Sequence, residues 1–326
     1  MSAAQVLSGA LSAETAALMA KTLAELGPLP DPTTLAAREG RAQAAFASAR
    51  CNVDLPPMQS VSEVWVDEDQ ELGAARCRLK ILVPNGAGHG AILFVHGGGF
   101  AFGSPETHER CARVLAIESG MPVVLPDYRL APECPFPAGL KDVVSALRHV
   151  FSATSAFGVC DGPLLVAGDS AGANLALAAM LHEEQDGRPL PDGGLLFYGN
   201  YACSFETASY VRFSEGPGLT RGKMQRYWGF YAGGEKIEAD PLACPLVATD
   251  LQLSSLPPLH LMAAEVDPLL SDTLALSERL QSLGRSDELL IIPGVIHGFL
   301  QNTSELSAAR EALAAAGSAA RRLTSR

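Results

Sequence analysis

The chain has 326 residues, 48% hydrophobic and 18% charged, a balance that supports a large buried core and excludes a disordered or fibrous protein. Lys and Arg number 24 against 36 Asp and Glu, a net charge of −12 with no offsetting basic cluster, which argues against a nucleic-acid or anionic-membrane partner. The length suits two average domains, or one large α/β domain with additions. Seven cysteines (51, 77, 111, 134, 160, 203, 244) are scattered, with no C-x-x-C pair. They read as apolar thiols in a reducing compartment, not as a disulfide framework or a zinc site. The first twenty residues lack a basic n-region, and Glu14 interrupts their apolar stretch. No run reaches the roughly 18 apolar residues of a membrane span, so a cytoplasmic location is expected.

Residues 1–50 are Ala-rich and carry two helical patterns, one up to Gly27-Pro28 and one from Asp31-Pro32 to about Arg50. Residues 61–66 and 76–83 alternate apolar and polar positions and predict two antiparallel strands, with Gly73 between them. Short, fully apolar runs follow at 91–95, 123–125, 164–167, 195–198, 259–263 and 289–292. Helical patterns at 106–119, 138–152, 171–183, 222–232 and 272–283 separate them. Buried runs alternating with helices predict parallel strands covered on both faces, and so a doubly wound sheet. The stretch of about 60 residues between the runs at 195–198 and 259–263 exceeds an ordinary crossover and reads as an insertion. Its aromatics, among them Tyr201, Phe205, Tyr210, Tyr227, Trp228 and Tyr231, predict a helical subdomain with its own small core, placed where lids often cover a pocket.

The strongest local feature is Gly168-Asp169-Ser170-Ala171-Gly172, set between the apolar run at 164–167 and a helical pattern. A bare G-x-S-x-G occurs by chance, but in a strand-to-helix turn it lifts the serine hydroxyl clear of the sheet, at a helix N-terminus that favours developing negative charge. The bland alternative is an N-cap serine in a tight turn. A nucleophilic serine needs a base, and the base an orienting acid, in the chain order Ser, acid, His. Downstream of Ser170 stand His182, His260 and His297. His182 lies three turns along the helix that Ser170 opens, and His260 sits inside an apolar run, as a core or edge histidine. His297 follows the last run through a loop, on the side of the sheet where ligands bind, and is the candidate base. Asp267, in the loop after the run at 259–263, is the candidate acid, with Glu265 and Asp272 as competitors. His96-Gly97-Gly98-Gly99-Phe100 follows the run at 91–95. Its glycines free backbone N–H groups to line an oxyanion hole, with Gly98, Gly99 and Ala171 as donors. His96 reads as a loop-fixing residue, and without a G-x-x-x-x-G-K-[ST] pattern the glycines are not a phosphate loop.

Together H-G-G-G-F, D-Y-R-L-A-P-E (Asp127 to Glu133), G-D-S-A-G, D-P-L (Asp267 to Leu269) and H-G-F (His297 to Phe299) resemble the bacterial hormone-sensitive-lipase-like carboxylesterases, in the branch with G-D-S-A-G. The likeness spans about residues 60–300 in order and spacing. It implies an α/β-hydrolase fold, a mostly parallel doubly wound sheet flanked by helices, with a helical cap. The cap would comprise residues 1–50 and an insertion at 201–250, around a catalytic domain at 51–200 and 251–326. The family's nucleophile, acid and base fall on Ser170, Asp267 and His297, and its oxyanion donors on Gly98, Gly99 and Ala171. Where the family often has D-P-L-R-D, this chain has Leu270 and Ser271, which removes a supporting ion pair. Arg129 is expected to pair with Glu133 or Asp142. The resemblance implies hydrolysis of short acyl esters of about C2 to C6 in a small pocket, with neither metal nor organic cofactor. Phe100, Phe102, Tyr201, Phe205, Trp228, Ile296 and Phe299 are the expected pocket walls. An interfacial lipase would need a long amphipathic lid that the sequence lacks. The alternatives are a receptor of the same fold without turnover, or a hydrolase for lactone, amide or carbamate bonds. The final run, from Leu289 to Ile292, is expected at the sheet edge, where the family often forms homodimers.

Overall fold

A computed structural model describes residues 9–153 and 160–325. Helices α1 (Ala13–Leu26) and α2 (Ala37–Ala49) come first. Strands β1 (Ser60–Val66) and β2 (Cys77–Val83) form the expected antiparallel pair. Then come β3 (His89–Val95), α3 (Glu109–Ser119), β4 (Val123–Pro126), α4 (Ala138–Ala153), β5 (Cys160–Asp169), α5 (Ala171–Gln185) and β6 (Gly193–Phe197). The insertion carries α6 (Ala208–Arg212), α7 (Arg221–Ala232) and α8 (Asp250–Ser255). The chain closes through β7 (Leu259–Val266), α9 (Leu270–Ser282), β8 (Glu288–Ile296) and α10 (Ser307–Thr324).

The strands form one sheet in the order β1-β2-β4-β3-β5-β6-β7-β8, antiparallel at β1-β2 and β2-β4 and parallel throughout the rest. β8 is an edge strand. The pleat explains why its central strands are apolar throughout. On β3, Ala91, Leu93 and Val95 face a core shared with α4, α5 and α9, while Ile92 and Phe94 face one shared with α3 and α10. Side chains alternate faces along a strand, and both faces here are covered, so no position is left for a polar residue.

Two findings depart from the sequence reading. The insertion has no separate core: Tyr201, Tyr210, Trp228 and Tyr231 are buried in the same cluster as α4 and α5. Phe100 of the glycine loop packs against two of them, its ring 3.7 Å from that of Tyr231 and 5.4 Å from that of Trp228. The sequence reading assigned no helix to the segment that forms α10. Ala309, Ala312, Leu313, Ala316 and Ala320 recur at helical spacing on its buried face. No helix among the described residues is long and apolar enough to cross a membrane.

Candidate active site

β5 runs directly into Ser170, whose backbone takes φ 56°, ψ −121°. This left-handed region is costly for a residue with a Cβ, and such strain is held only where neighbours over-determine it. Here the Ser170 N–H donates to the Phe197 carbonyl at 2.9 Å. A Cβ on Gly172 would lie 2.0 Å from the Val95 carbonyl oxygen. Only glycine lets α5 approach β3 this closely, and that approach sets the turn. Ser170 thus precedes the first residue of α5, Ala171, whose N–H has no intrahelical acceptor.

His297 follows β8 and reaches Ser170 from the neighbouring loop. Its Nε2 lies 2.8 Å from Ser170 Oγ, and its Nδ1 lies 2.7 Å from Asp267 Oδ2. A carboxylate only accepts, so Nδ1 carries the proton and leaves the Nε2 lone pair for the serine hydroxyl. Asp267 is fully buried, and its other oxygen accepts the Leu269 N–H at 2.9 Å, which fixes its rotamer. The two competing acids have other partners. Glu265 accepts the Gly294 N–H at 2.8 Å, within the stretch that leads to His297. Asp272 accepts the N–H groups of Tyr201 and Ala202, at 2.9 and 3.2 Å. Burial pushes the Asp272 carboxyl up to about 7; those two N–H groups oppose the rise and the Asp267 charge adds to it. His182 lies against Glu183 and Asp186 on α5, and His260 against Glu288 at the sheet edge. Ser271, two residues past the D-P-L motif, bonds Ser209 of α6, hydroxyl to hydroxyl at 2.8 Å, and so ties the Asp267 loop to the insertion.

The glycine loop is held from below. The Gly97 N–H donates to Asp169 Oδ1 at 2.8 Å. Gly98 (φ 122°) and Gly99 (φ 59°) turn through conformations open to glycine. Their N–H groups donate to no protein acceptor among the described residues, while the Gly98 carbonyl accepts the Phe102 N–H at 2.9 Å. His96 is buried, stacks on Tyr128 with ring centroids 4.3 Å apart, and bonds the Gly97 carbonyl through Nδ1 at 2.9 Å. Burial, with His108 nearby, lowers its pKa to about 3, so it is a neutral structural ring. Arg129 pairs with Asp142 at 2.7 Å, while Glu133 pairs with Arg41 of α2.

Two residues at this site, Asp169 and Tyr198, have no role in the sequence reading, and a third, Tyr227, figures there only as an aromatic of the insertion. Asp169 is buried between Gly97, His108 (3.4 Å) and the Tyr198 hydroxyl (3.4 Å). Burial would raise its pKa, but the His108 charge and hydrogen bonds from His108 and the Gly97 N–H outweigh that and hold it low. Tyr198 packs edge-on against His297, centroids 5.0 Å apart. Tyr227 of α7 lies on Gly99, where an added Cβ would meet its ring at 2.3 Å. The advance signals were an acid inside the G-D-S-A-G motif and the aromatics of the insertion.

A cavity of about 520 Å³ opens beside His297, within the range of small-ligand sites. Ile296 and Phe299, the expected walls on either side of His297, line it. The other expected walls do not. Phe100, Tyr201 and Trp228 are core residues, Phe102 packs edge-on against Tyr227, and Phe205 against Tyr210. The reason is the insertion's fold: its aromatics bury one another against the glycine loop instead of facing open space. The opposite wall comes from α1, through Leu18, Leu23 and Leu26.

Comparison with known proteins agrees with this geometry. A family model described as the α/β-hydrolase fold matches residues 92–301. Carboxylesterase NlhH of Mycobacterium tuberculosis is 35% identical over 223 residues, 68% of this chain and 70% of its own. An ester hydrolase from the metagenome of Lake Arreo, solved with a bipyridine phosphonate derivative, superposes with a TM-score of 0.89 at 32% identity, over 97% of this chain and 100% of its own. A thermostable esterase from Pseudomonas putida does so at 0.89 and 30%, over 97% and 98%. The chain belongs to the α/β-hydrolase family, among its hormone-sensitive-lipase-like carboxylesterases. It is a carboxylic ester hydrolase.

Proposed function

We propose that Ser170, His297 and Asp267 act as nucleophile, general base and orienting acid in hydrolysis of short-chain esters through an acyl-enzyme. The observation that supports this most is the hydrogen-bonded chain from Ser170 Oγ to His297 Nε2 and from Nδ1 to Asp267. Ser170 Oγ attacks the ester carbonyl as His297 takes its proton. The tetrahedral oxyanion accepts the N–H groups of Gly98, Gly99 and Ala171, and each such donor contributes about 10²–10³ in kcat. His297 then protonates the departing alcohol. Water, deprotonated by the same imidazole, releases the acid and restores Ser170.

In this reading α1, α2 and the insertion act as a cap. The Arg226–Asp31 pair between α7 and the N-terminal segment supports it, as does the hydrogen bond from the Ser12 N–H to the Gly294 carbonyl at 2.9 Å. The apolar cavity of about 520 Å³ that opens beside His297 supports acyl chains of about C2 to C6. Two further parts of the reading concern its setting. The unpaired cysteines fit a reducing, cytoplasmic location. The edge position of β8 fits a homodimer, for which light scattering would give twice the 34.1 kDa of one chain.

The test is hydrolysis of p-nitrophenyl esters from C2 to C12 by the native chain and by Ser170→Ala. Activity is expected to peak at short chains and to vanish in the variant. Turnover surviving in Ser170→Ala would overturn the assignment, and a peak at the long end would overturn the chain length.

A further inference from the structure

The cavity beside His297 has a charge pattern opposite to that of the whole protein. The chain carries 36 acidic residues against 24 basic ones, yet the lining of this cavity includes Arg50 and Lys223 and no Asp or Glu. The two cations are not equivalent. Arg50 is neutralised from outside the cavity by Glu25 at 3.1 Å and Glu305 at 2.8 Å. Lys223 has no ion pair among the described residues; its Nζ donates one long hydrogen bond, 3.4 Å, to the Gly218 carbonyl. Asp31 feels the Lys223 charge, but its oxygens are already taken by Arg226 and by the hydroxyl and N–H of Thr33.

Lys223 stands in the first turn of α7 and is half-buried, with its long bond to Gly218 exposed to solvent. Its backbone N–H is fixed by the Thr220 cap of α7, at 3.2 Å. Gly218, which holds the ammonium, lies against Ile296, the residue before His297. The rest of the wall is largely aliphatic, through Leu18, Leu23, Leu26, Ile296 and Phe299. An ammonium with no close counter-ion beside an apolar wall is open to pairing with an anion, and more strongly than one fully in water.

We propose that this cavity selects esters whose apolar chain ends in a carboxylate, and that Lys223 pairs with that carboxylate. The substrate class is then half-esters of dicarboxylic acids if the cavity takes the acyl side, or acyl esters of ω-hydroxy acids if it takes the alcohol side. The inference rests on the esterase reading above and adds a specificity to it; Lys223 has no part in the chemical step.

The experiment compares kcat/KM for each acid-ended ester with that for its primary-amide-ended counterpart, which has the same shape and no charge. Both series are run, with the charge on the acyl or on the alcohol side. The native chain is expected to prefer the acid over the amide in one series, and added salt to erode that preference. Lys223→Gln is expected to lower the preference about tenfold, chiefly through KM, and Lys223→Arg to retain it. A preference for the amide in both series, or a ratio unchanged within twofold in Lys223→Gln, would overturn the proposal. Cleavage of the amide-ended esters reports separately on the esterase reading. Calorimetric binding of the acid-ended ester to Ser170→Ala, with and without Lys223→Gln, reads the same contact without turnover. Affinity about tenfold weaker with the second substitution is expected, and equal affinity would sink the idea.

Discussion

Asp169→Ala removes a buried carboxylate shared by three neighbours: the Gly97 N–H at 2.8 Å, His108 Nε2 at 3.4 Å and the Tyr198 hydroxyl at 3.4 Å. Two of these lead to the proposed catalytic parts, since Gly97 opens the glycine loop and Tyr198 packs against His297. The truncation strands the Gly97 N–H and the His108 ring in the interior, at about 1–3 kcal/mol for each unsatisfied group. Stranding the two groups together is expected to cost about 2–4 kcal/mol of unfolding free energy. Asp169→Asn keeps the shape and an acceptor for Gly97 but loses the charge, so about 1–2 kcal/mol is expected. The pH dependence has a definite sign. The folded pKa of Asp169 is depressed, so its contribution is present above the unfolded value of 3.8 and is lost as pH falls through the lower folded value. The gap between native and Asn chains should therefore be full at neutral pH and close only in strong acid. Urea unfolding from neutral pH down to acid, with initial rates on p-nitrophenyl acetate, checks both parts; rates should fall in both variants as the loop loses its support. An Asp169→Ala chain within about 1 kcal/mol of native would refute the reasoning, as would a gap that widens in acid.

Two glycines should respond differently to alanine. Gly99→Ala meets the Tyr227 ring, a side chain that can shift, so kcat should drop at least about tenfold while the fold persists by circular dichroism; an unchanged kcat would contradict the loop's role. Gly172→Ala meets the Val95 carbonyl oxygen at 2.0 Å, where only backbone can move, and should cost about 3 kcal/mol or more in thermal unfolding. Asp272→Asn tests the buried carboxyl raised from 3.8 to about 7. A raised carboxyl binds its proton more tightly when folded, so its contribution to stability falls as pH rises between those values. The Asn chain should therefore gain in melting temperature relative to native from pH 5 to pH 8, and a constant difference would show that Asp272 does not titrate there.

Much of the fold was legible because its signals are local. The apolar runs of β3 to β7 mark strands covered on both faces, and G-D-S-A-G between a strand and a helix allows few turns. Ser170, Asp267 and His297 stood out by chain order and by the elements they follow, and in the structure His297 lies within hydrogen-bonding distance of the other two. What was not legible depends on packing between distant segments. Phe100 and Trp228 looked like pocket walls, because an aromatic near a motif reads the same whether it faces a cavity or another ring. The wall formed by Leu18, Leu23 and Leu26 required knowing that α1 folds back beside His297. Arg129 had two candidate partners in sequence, Glu133 and Asp142, and only the approach of α2, which brings Arg41 to Glu133, assigns it to Asp142. Asp169 was overlooked because a polar residue in a turn reads as exposed, whereas here it is 3% accessible and fully partnered.

The central claim is that Ser170 is the activated nucleophile and His297 its base. The most direct measurement is covalent labelling with an alkyl p-nitrophenyl phosphonate, which traps a serine in a tetrahedral adduct, followed by peptide mapping. One adduct is expected, on Ser170, formed with release of p-nitrophenol, absent in Ser170→Ala and slowed by about 10³-fold or more in His297→Ala. An adduct on another residue, or labelling of Ser170 at the same rate without His297, would contradict it.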